Sequence, residues 1–207
     1  MTDQPEILFS RQGRLAIITL NRPKALNSLT YEMVGQLGEN LAAWRDDDDV
    51  AAVVIEGAGE KAFCAGGDIR SLYDARKAGD QEFLARFYRD EYVVNHAINT
   101  YPKPYIALTD GYVMGGGAGV SVHGSHRVAT ERTRFAMPEV GIGLFPDVGG
   151  SWFLSRCPGE IGTYLGMTGA IINAADCLYA GIATHHTASA SLEDVKAALA
   201  GVTWSGG

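Results

Sequence analysis

The sequence predicts an α/β fold, because segments with the periodicity of a strand alternate with segments with the periodicity of a helix along the chain. The composition is typical of a globular domain, since 46% of the 207 residues are hydrophobic and 20% are charged. A chain of this length can bury one well-packed core. We therefore expect one α/β domain.

The first elements are predicted from turn and capping residues. Strands at 6–10 and 14–20 flank a glycine turn at Arg11-Gln12-Gly13. Thr30 is predicted to be the N-cap of a helix that reaches Trp44, because apolar residues recur at helical spacing after it.

The middle and end of the chain continue the alternation. A buried strand is predicted at 50–56, and Asp68 is expected to cap a helix that begins at Ile69. A long helix at 81–99 must stop before the prolines at 102 and 104. Further strands are predicted at 105–109, 126–130 and 134–137, further helices at 160–167, 174–180 and 192–199, and a frayed end at 201–207.

Charge and cysteine content exclude several classes of protein. The net charge of −7 argues against nonspecific nucleic-acid binding and against a membrane-surface role. The three cysteines lack paired spacing, so we expect neither a disulfide framework nor a metal site. Unpaired cysteines also predict a reducing compartment. Residues 1–6 carry no basic and apolar leader, and no apolar run reaches the length of a membrane span. These observations predict a cytoplasmic protein.

Glycines are concentrated where a helix is predicted to open, at Met114-Gly115-Gly116-Gly117, with Gly119 following. Each glycine inside a helix costs about 1 kcal/mol relative to alanine, so such a cluster needs a reason. Amides at a helix start are unpaired and lie at the positive end of the helix dipole, which suits an oxygen that gains negative charge. A second cluster, Ala65-Gly66-Gly67, fits an ordinary turn when taken alone.

Two carboxylates lie eight residues apart in glycine- and proline-rich sequence, Glu139 after Pro138 and Asp147 after Pro146. Carboxylates at such positions usually face water at a helix start or in a turn. Two carboxylates in different environments can also divide acid and base roles between them. Glu91, in the middle of the long helix, is either an exposed charge or a pocket residue.

Four motifs in this order resemble the crotonase superfamily of acyl-CoA enzymes, and the similarity covers about residues 6–186. They are Asn21-Arg22-Pro23-Lys24-Ala25-Leu26-Asn27, Phe63-Cys64-Ala65-Gly66-Gly67-Asp68-Ile69, Gly111-Tyr112-Val113-Met114-Gly115-Gly116-Gly117 and Phe135-Ala136-Met137-Pro138-Glu139. Within that superfamily, three stretches resemble the 3-hydroxyisobutyryl-CoA hydrolase branch of valine breakdown. These are 121–124, 141–150 and 180–185.

The resemblance implies a spiral of repeated ββα turns and a bound acyl-CoA thioester. The CoA part would lie across the loops of Leu26 and Asp68. The amides of Gly67 and Gly116 would donate hydrogen bonds to the thioester oxygen. No cofactor is implied beyond CoA as part of the substrate, and a homo-oligomer is expected.

The resemblance also assigns roles to the three carboxylates. Glu139 would act as base or nucleophile, with water attack and a covalent anhydride both open. Asp147 would position the substrate's 3-hydroxyl group or tune Glu139. Glu91 matches a glutamate that contacts substrate in the hydrolase branch.

Gly119 departs from the pattern of the hydratases. Enoyl-CoA hydratases carry a second catalytic glutamate at the position of Gly119. This chain therefore lacks one of the two carboxylates that add water to a double bond in those enzymes. This favours a hydrolase, whereas an enoyl-CoA isomerase that needs only Glu139 stays open.

The remaining reactive side chains are interpreted structurally. His123 and His126 are expected to be core or surface histidines, and Cys64 a small buried hydrophobe. We expect an acyl-CoA-binding core at 1–187 and a short helical tail at 188–207. Hydrolases of this branch continue well beyond Thr187, so an inactive acyl-CoA-binding fragment is a further alternative.

Overall fold

Within residues 4–204, which the computed structural model describes, ten strands and eight α-helices form two sheets with helices packed against them. The strands are β1 (Ile7–Gln12), β2 (Leu15–Leu20), β3 (Ala52–Gly57), β4 (Ala62–Cys64), β5 (Tyr105–Thr109), β6 (Tyr112–Met114), β7 (His126–Ala129), β8 (Arg134–Ala136), β9 (Ile172–Asn173) and β10 (His185–His186). The helices are α1 (Tyr31–Arg45), α2 (Ile69–Ala78), α3 (Gln81–Asn99), α4 (Gly116–Gly119), α5 (Gly150–Leu154), α6 (Ile161–Thr168), α7 (Ala174–Tyr179) and α8 (Leu192–Ala200).

The two sheets are built by a spiral. One sheet has the order β1-β2-β3-β5-β7-β10 and the other has the order β4-β6-β8-β9. Three successive strand pairs, β3/β4, β5/β6 and β7/β8, each give one strand to each sheet, and neighbouring turns pair in parallel. This is the predicted α/β spiral of ββα turns.

The core lies on both faces of the six-stranded sheet. Alternate residues of β2 and β3 point to opposite faces, so Ile18 and Ile55 join the main core with α1 while Ile17 and Val54 join a second cluster beneath α8. Both faces of these strands are covered, which explains why residues 15–18 and 52–55 are continuously apolar.

The predicted long elements agree with the structure to within one or two residues at most ends. The helix at 81–99 and the strand at 105–109 match residue for residue, and the Thr30 hydroxyl caps α1 by accepting from the Met33 amide at 3.2 Å. The turn predicted at Arg11-Gln12-Gly13 begins too early, because β1 continues through Arg11 and Gln12. The chain reverses at Gly13, whose φ of +59° suits glycine.

The segment after residue 187 is attached to the sheet. α8 packs on the second cluster, and Lys196 Nζ lies 2.7 Å from Glu56 Oε2. The division at 187 stays a prediction, and residues 205–207 of the predicted frayed end lie outside the described residues. In the part of the chain from 4 to 204, no helix is long and apolar enough to cross a membrane.

Candidate active site

Three neighbouring strands bring the two glycine clusters and Glu139 together. β4, β6 and β8 lie side by side and parallel. Gly67, Gly116 and Glu139 each follow one of these strands by two or three residues. The carboxyl ends of parallel strands meet at one edge of a sheet, where α/β proteins bind ligands.

A cavity of about 330 Å³ opens at this edge, beneath α3. Gly67, Glu91, Glu139 and Asp147 all line it, beside Gly115. Its volume lies within the range of small-molecule sites, about 300–1,000 Å³. The structure therefore gathers the predicted carboxylates around one ligand-sized space.

The Gly67 amide is held by the loop that precedes α1. The Leu29 amide donates to the Gly66 carbonyl, and the Asp68 amide donates to the Leu29 carbonyl, both at 2.8 Å. These bonds fix the backbone on either side of Gly67. Among residues 4–204, neither the Gly67 amide nor the Gly116 amide donates to a protein acceptor.

The glycines of the 114–117 motif are required by close packing. A Cβ at Gly116 would lie 3.1 Å from the Gly67 nitrogen and 2.6 Å from Glu91 Oε1. A Cβ at Gly115 would lie 2.9 Å from Glu139 Oε1, and one at Gly117 would collide with the Cys64 carbonyl at 2.3 Å. The cluster thus lets two unpaired amides and two carboxylates meet.

The carboxyl groups of Glu139 and Glu91 are both buried. Glu139 lies in a short 3-10 helix, Pro138–Ile142, and is 6% exposed. Burial, aided by the negative charge of Asp147, raises the pKa of Glu139 to about 7. Glu91 is 3% exposed, and burial raises its pKa to about 8, with smaller contributions from Asp147 and Glu139. The alternative that Glu91 is an exposed helix charge is therefore wrong.

Asp147 lies in a strained turn that His123 supports. The Tyr92 hydroxyl donates to Asp147 Oδ2 at 2.7 Å, while burial raises the pKa of Asp147. Val148 adopts a φ of +44°, which is rare for a β-branched residue. His123 Nε2 lies 2.8 Å from the Val148 carbonyl, and a Cβ at Gly149 would lie 2.5 Å from the His123 ring. His123 is thus half-buried structural support beside the site.

The position of Gly119 leaves no room for a second catalytic glutamate. A Cβ there would lie 2.8 Å from both Asn95 Nδ2 and Val148 Cβ. Asn95 comes from α3 and is 4% exposed. The neighbours of Gly119 therefore fill the space that a longer side chain would need.

Leu26 and Asp68 do not line the carboxylate cavity. Leu26 borders a separate depression with Lys24 and Lys61. Asp68 caps α2, as predicted, by accepting from the Ser71 amide at 3.3 Å. It also pairs with Arg22 at 3.0 Å.

Tyr92 and Asn95 were missed by the sequence reasoning. Asn95 lies one helical turn after Glu91, so helical spacing could have placed it on the same face. No local signal identified Tyr92 as the partner of Asp147. Across residues 4–204, no group of three or more His, Cys, Asp or Glu side chains is arranged to hold a metal ion.

Residues 15–206 match the enoyl-CoA hydratase/isomerase family. The chain belongs to this family. A crystal structure of an enoyl-CoA hydratase from Rhodobacter sphaeroides is 44% identical, with a TM-score of 0.93 over 95% of this chain and 58% of that one. A carnitinyl-CoA dehydratase from Mycobacterium thermoresistibile is 47% identical, with a TM-score of 0.92 over 95% and 57% of the two chains. These likenesses confirm the crotonase-like fold.

Curated relatives include the mitochondrial 3-hydroxyisobutyryl-CoA hydrolases. The protein from Danio rerio is 52% identical over 92% of this chain and 50% of its own length. The protein from Homo sapiens is 50% identical over 90% of this chain and 48% of its own length. The predicted resemblance to the hydrolase branch is confirmed, and the chain spans about half the length of the curated relatives it matches.

Proposed function

We propose that this chain hydrolyses the thioester of a short 3-hydroxyacyl-CoA, 3-hydroxyisobutyryl-CoA above all, to the free acid and CoA in valine breakdown. The proposal depends above all on one cavity, which is lined by Glu139, Asp147 and Gly67 and has the Gly116 backbone packed closely against Gly67, while Gly119 has no space for a second glutamate. The names of the curated relatives support this substrate.

The thioester oxygen is expected to lie between the amides of Gly67 and Gly116. Attack on the carbonyl carbon moves negative charge onto this oxygen, and two preorganised N–H donors stabilise that charge. Removal of one such donor in an enzyme typically costs about 100- to 1,000-fold in rate. The Leu29 loop fixes the backbone around Gly67, and the first turn of α4 fixes Gly116, so little reorganisation is needed.

Glu139 supplies the base or the nucleophile. With its pKa near 7, a large fraction is ionised at neutral pH and can take a proton from water. Hydroxide then adds to the carbonyl carbon, the C–S bond breaks, and Glu139 returns the proton to the departing CoA sulfur. In the covalent alternative, Glu139 attacks the carbon and expels CoA, and water then hydrolyses the anhydride. Trapping of the anhydride by hydroxylamine distinguishes these paths.

Asp147 is expected to accept a hydrogen bond from the substrate's 3-hydroxyl group. Tyr92 already donates to one carboxylate oxygen of Asp147, which leaves the other for substrate. A carboxylate oriented by a second donor discriminates substrates with a hydroxyl group from those without one.

The CoA part is proposed to lie across the Leu26 depression. Lys24 and Lys61 border it and offer positive charge to the phosphates of CoA. The Ala65 amide donates to the Leu26 carbonyl at 3.0 Å, so this depression adjoins the Gly67 loop directly. Asp68 is proposed to support CoA binding indirectly, by holding the Gly67 loop in place.

The first experiment measures thiol release from 3-hydroxyisobutyryl-CoA beside loss of the enoyl absorbance of crotonyl-CoA. Thiol release without enoyl loss supports the hydrolase. The names of the family and of the solved structures favour an enoyl-CoA hydratase or isomerase as second candidate, and enoyl loss without thiol release would support it. If neither substrate reacts but the chain still binds acyl-CoA, the result would support an inactive binding fragment.

The chain is also proposed to assemble into a homo-oligomer. Several large apolar side chains between residues 142 and 179 are exposed, and we expect further copies of the chain to cover them. They include Phe145, Met167 and Tyr179, which are 68%, 74% and 71% exposed. Light scattering that gives the mass of a monomer at micromolar concentration would contradict this expectation.

The cellular compartment is proposed from the cysteines. All three are unpaired and buried, which suits a reducing compartment. The cytoplasm stays a prediction, because the curated relatives are named mitochondrial.

A further inference from the structure

Three carboxylates share the cavity without a compensating positive charge. Glu91, Glu139 and Asp147 line it, and among the described residues that form its wall there is no lysine, arginine or histidine. Much of the remaining wall is apolar, with Leu72 and Phe87 among its members. Neighbouring carboxylates in such surroundings raise one another's pKa, which favours retention of a proton at neutral pH.

Glu91 is the group on which that proton is best retained. It is 3% exposed, against 6% for Glu139 and 9% for Asp147. Asp147 accepts from the Tyr92 hydroxyl, which stabilises its ionised form, whereas Glu91 Oε1 has no hydrogen-bond partner among residues 4–204.

The titratable groups that face Glu91 bring no positive charge. They are Tyr88 and Tyr92 from its own helix, Glu139 from the 3-10 helix, Asp147 from the loop before α5, and Cys64 from β4. All of these groups are neutral or negative. Each negative charge among them favours the protonated form of Glu91.

Glu91 Oε1 also lies close to the backbone of Gly116, whose amide would help to hold the thioester oxygen. It approaches within 2.6 Å of the position of a Cβ on Gly116, and that same position is 3.1 Å from the Gly67 nitrogen. A negative charge here would repel an oxygen that gains negative charge. A neutral carboxylic acid would instead offer an O–H donor to it.

We propose that Glu91 works as a neutral carboxylic acid whose hydroxyl is a third hydrogen-bond donor to the thioester oxygen. This inference rests on the proposed hydrolase function. The proton stays on Glu91 throughout the reaction, and no bond to Glu91 forms or breaks. The role is therefore electrostatic, and it differs from the proton transfer assigned to Glu139.

The first test compares Glu91→Gln, Glu91→Ala and the control Glu82→Gln, whose side chain is on the same helix and 82% exposed. A glutamine amide can donate in place of the acid, so Glu91→Gln should keep kcat within about tenfold, whereas Glu91→Ala should lose about 100-fold or more. The parent should lose kcat above about pH 8, where Glu91 ionises. Glu91→Gln should lack this alkaline limb, and Glu82→Gln should retain it. Equal losses in the glutamine and alanine variants would overturn the proposal.

The second test does not depend on turnover. Infrared difference spectra between the parent and Glu91→Gln should show the carbonyl band of a protonated carboxylic acid at pH 7, which disappears as the pH passes about 8. A band that titrates near the ordinary value of 4.5 would overturn the proposal. A parent that releases no CoA from any thioester would overturn the hydrolase function, and the infrared titration would still decide the state of Glu91.

Discussion

At the scale of single residues, Glu139 carries the chemistry and gives the first prediction. Glu139→Gln should reduce kcat for thiol release by about 100- to 10,000-fold, because the amide can neither accept a proton nor attack carbon. CoA binding, measured by calorimetry, should change little, since the Leu26 depression is separate. A variant that keeps full activity would remove Glu139 from the reaction.

Asp147 gives a prediction about substrate choice. Asp147→Asn should lower kcat/KM more for a 3-hydroxyacyl-CoA than for the matching acyl-CoA without the hydroxyl group, because only the former loses a charged acceptor. Tyr92→Phe is the conservative companion. It should weaken the same preference to a smaller extent, since it removes only the donor that orients Asp147. Equal losses for both substrates would contradict a contact with the hydroxyl group.

Part of the site could be predicted residue by residue. The ordered motifs, through their resemblance to the crotonase superfamily, marked Gly67, Gly116, Glu139 and Asp147 as candidates. The Gly67 cluster and each of the two carboxylates, taken alone, also fit an ordinary turn or helix start. Glu91 could not be resolved from sequence because an amphipathic helix does not reveal which of its charges faces a cavity. Tyr92 and His123 act only on backbone and side chains that long-range folding brings near them, so local pattern cannot identify them.

At the scale of elements, Gly35 of α1 and Gly117 of α4 should respond oppositely to alanine. Gly117→Ala would place a Cβ 2.3 Å from the Cys64 carbonyl, so β4 and α4 would have to separate and the protein should lose stability. Gly35→Ala is the matched control, because nothing lies within 4 Å of its Cβ in helix α1. It should gain about 0.5–1 kcal/mol in free energy of unfolding, or a few degrees in Tm by calorimetry. A neutral Gly117→Ala would contradict the close packing.

Element length decided which parts of the fold could be predicted. α1 and α3 are long enough to show several turns of apolar spacing, and their bounds were predicted closely. β8 has three residues and was predicted all the same, whereas β4 and β6, which are equally short, show no alternation and were not predicted. Their absence from the predicted elements also hid the pairing that unites the site.

At the scale of the whole molecule, the spiral explains how distant motifs become one site. Each turn adds a strand to the four-stranded sheet, so β4, β6 and β8 deliver Gly67, Gly116 and Glu139 to one edge although these residues lie up to 72 positions apart in sequence. α3 then closes this edge with Glu91. The order of the motifs along the chain thus reflects successive turns of the spiral.

The buried acids should also make the stability of the whole molecule depend on pH. The pKa of Glu91 is about 8 in the folded state, whereas an unfolded chain restores its ordinary value of 4.5. Between these values the folded state binds more protons, so the contribution of Glu91 to the free energy of unfolding is full below about pH 4.5 and falls as the pH rises toward 8.

Glu91→Gln removes this pH-dependent contribution to the free energy of unfolding, and this variant gives the last prediction. Its Tm relative to the parent should rise as the pH increases from 5.5 to 8.5, while the exposed control Glu82→Gln should show no such trend. Thermal unfolding of the three proteins at both pH values measures the effect. The comparison cancels the other titrating groups, because the parent and variant share them. A Tm difference that is independent of pH would mean that Glu91 ionises at its ordinary value, so the cavity would have to accommodate all three negative charges.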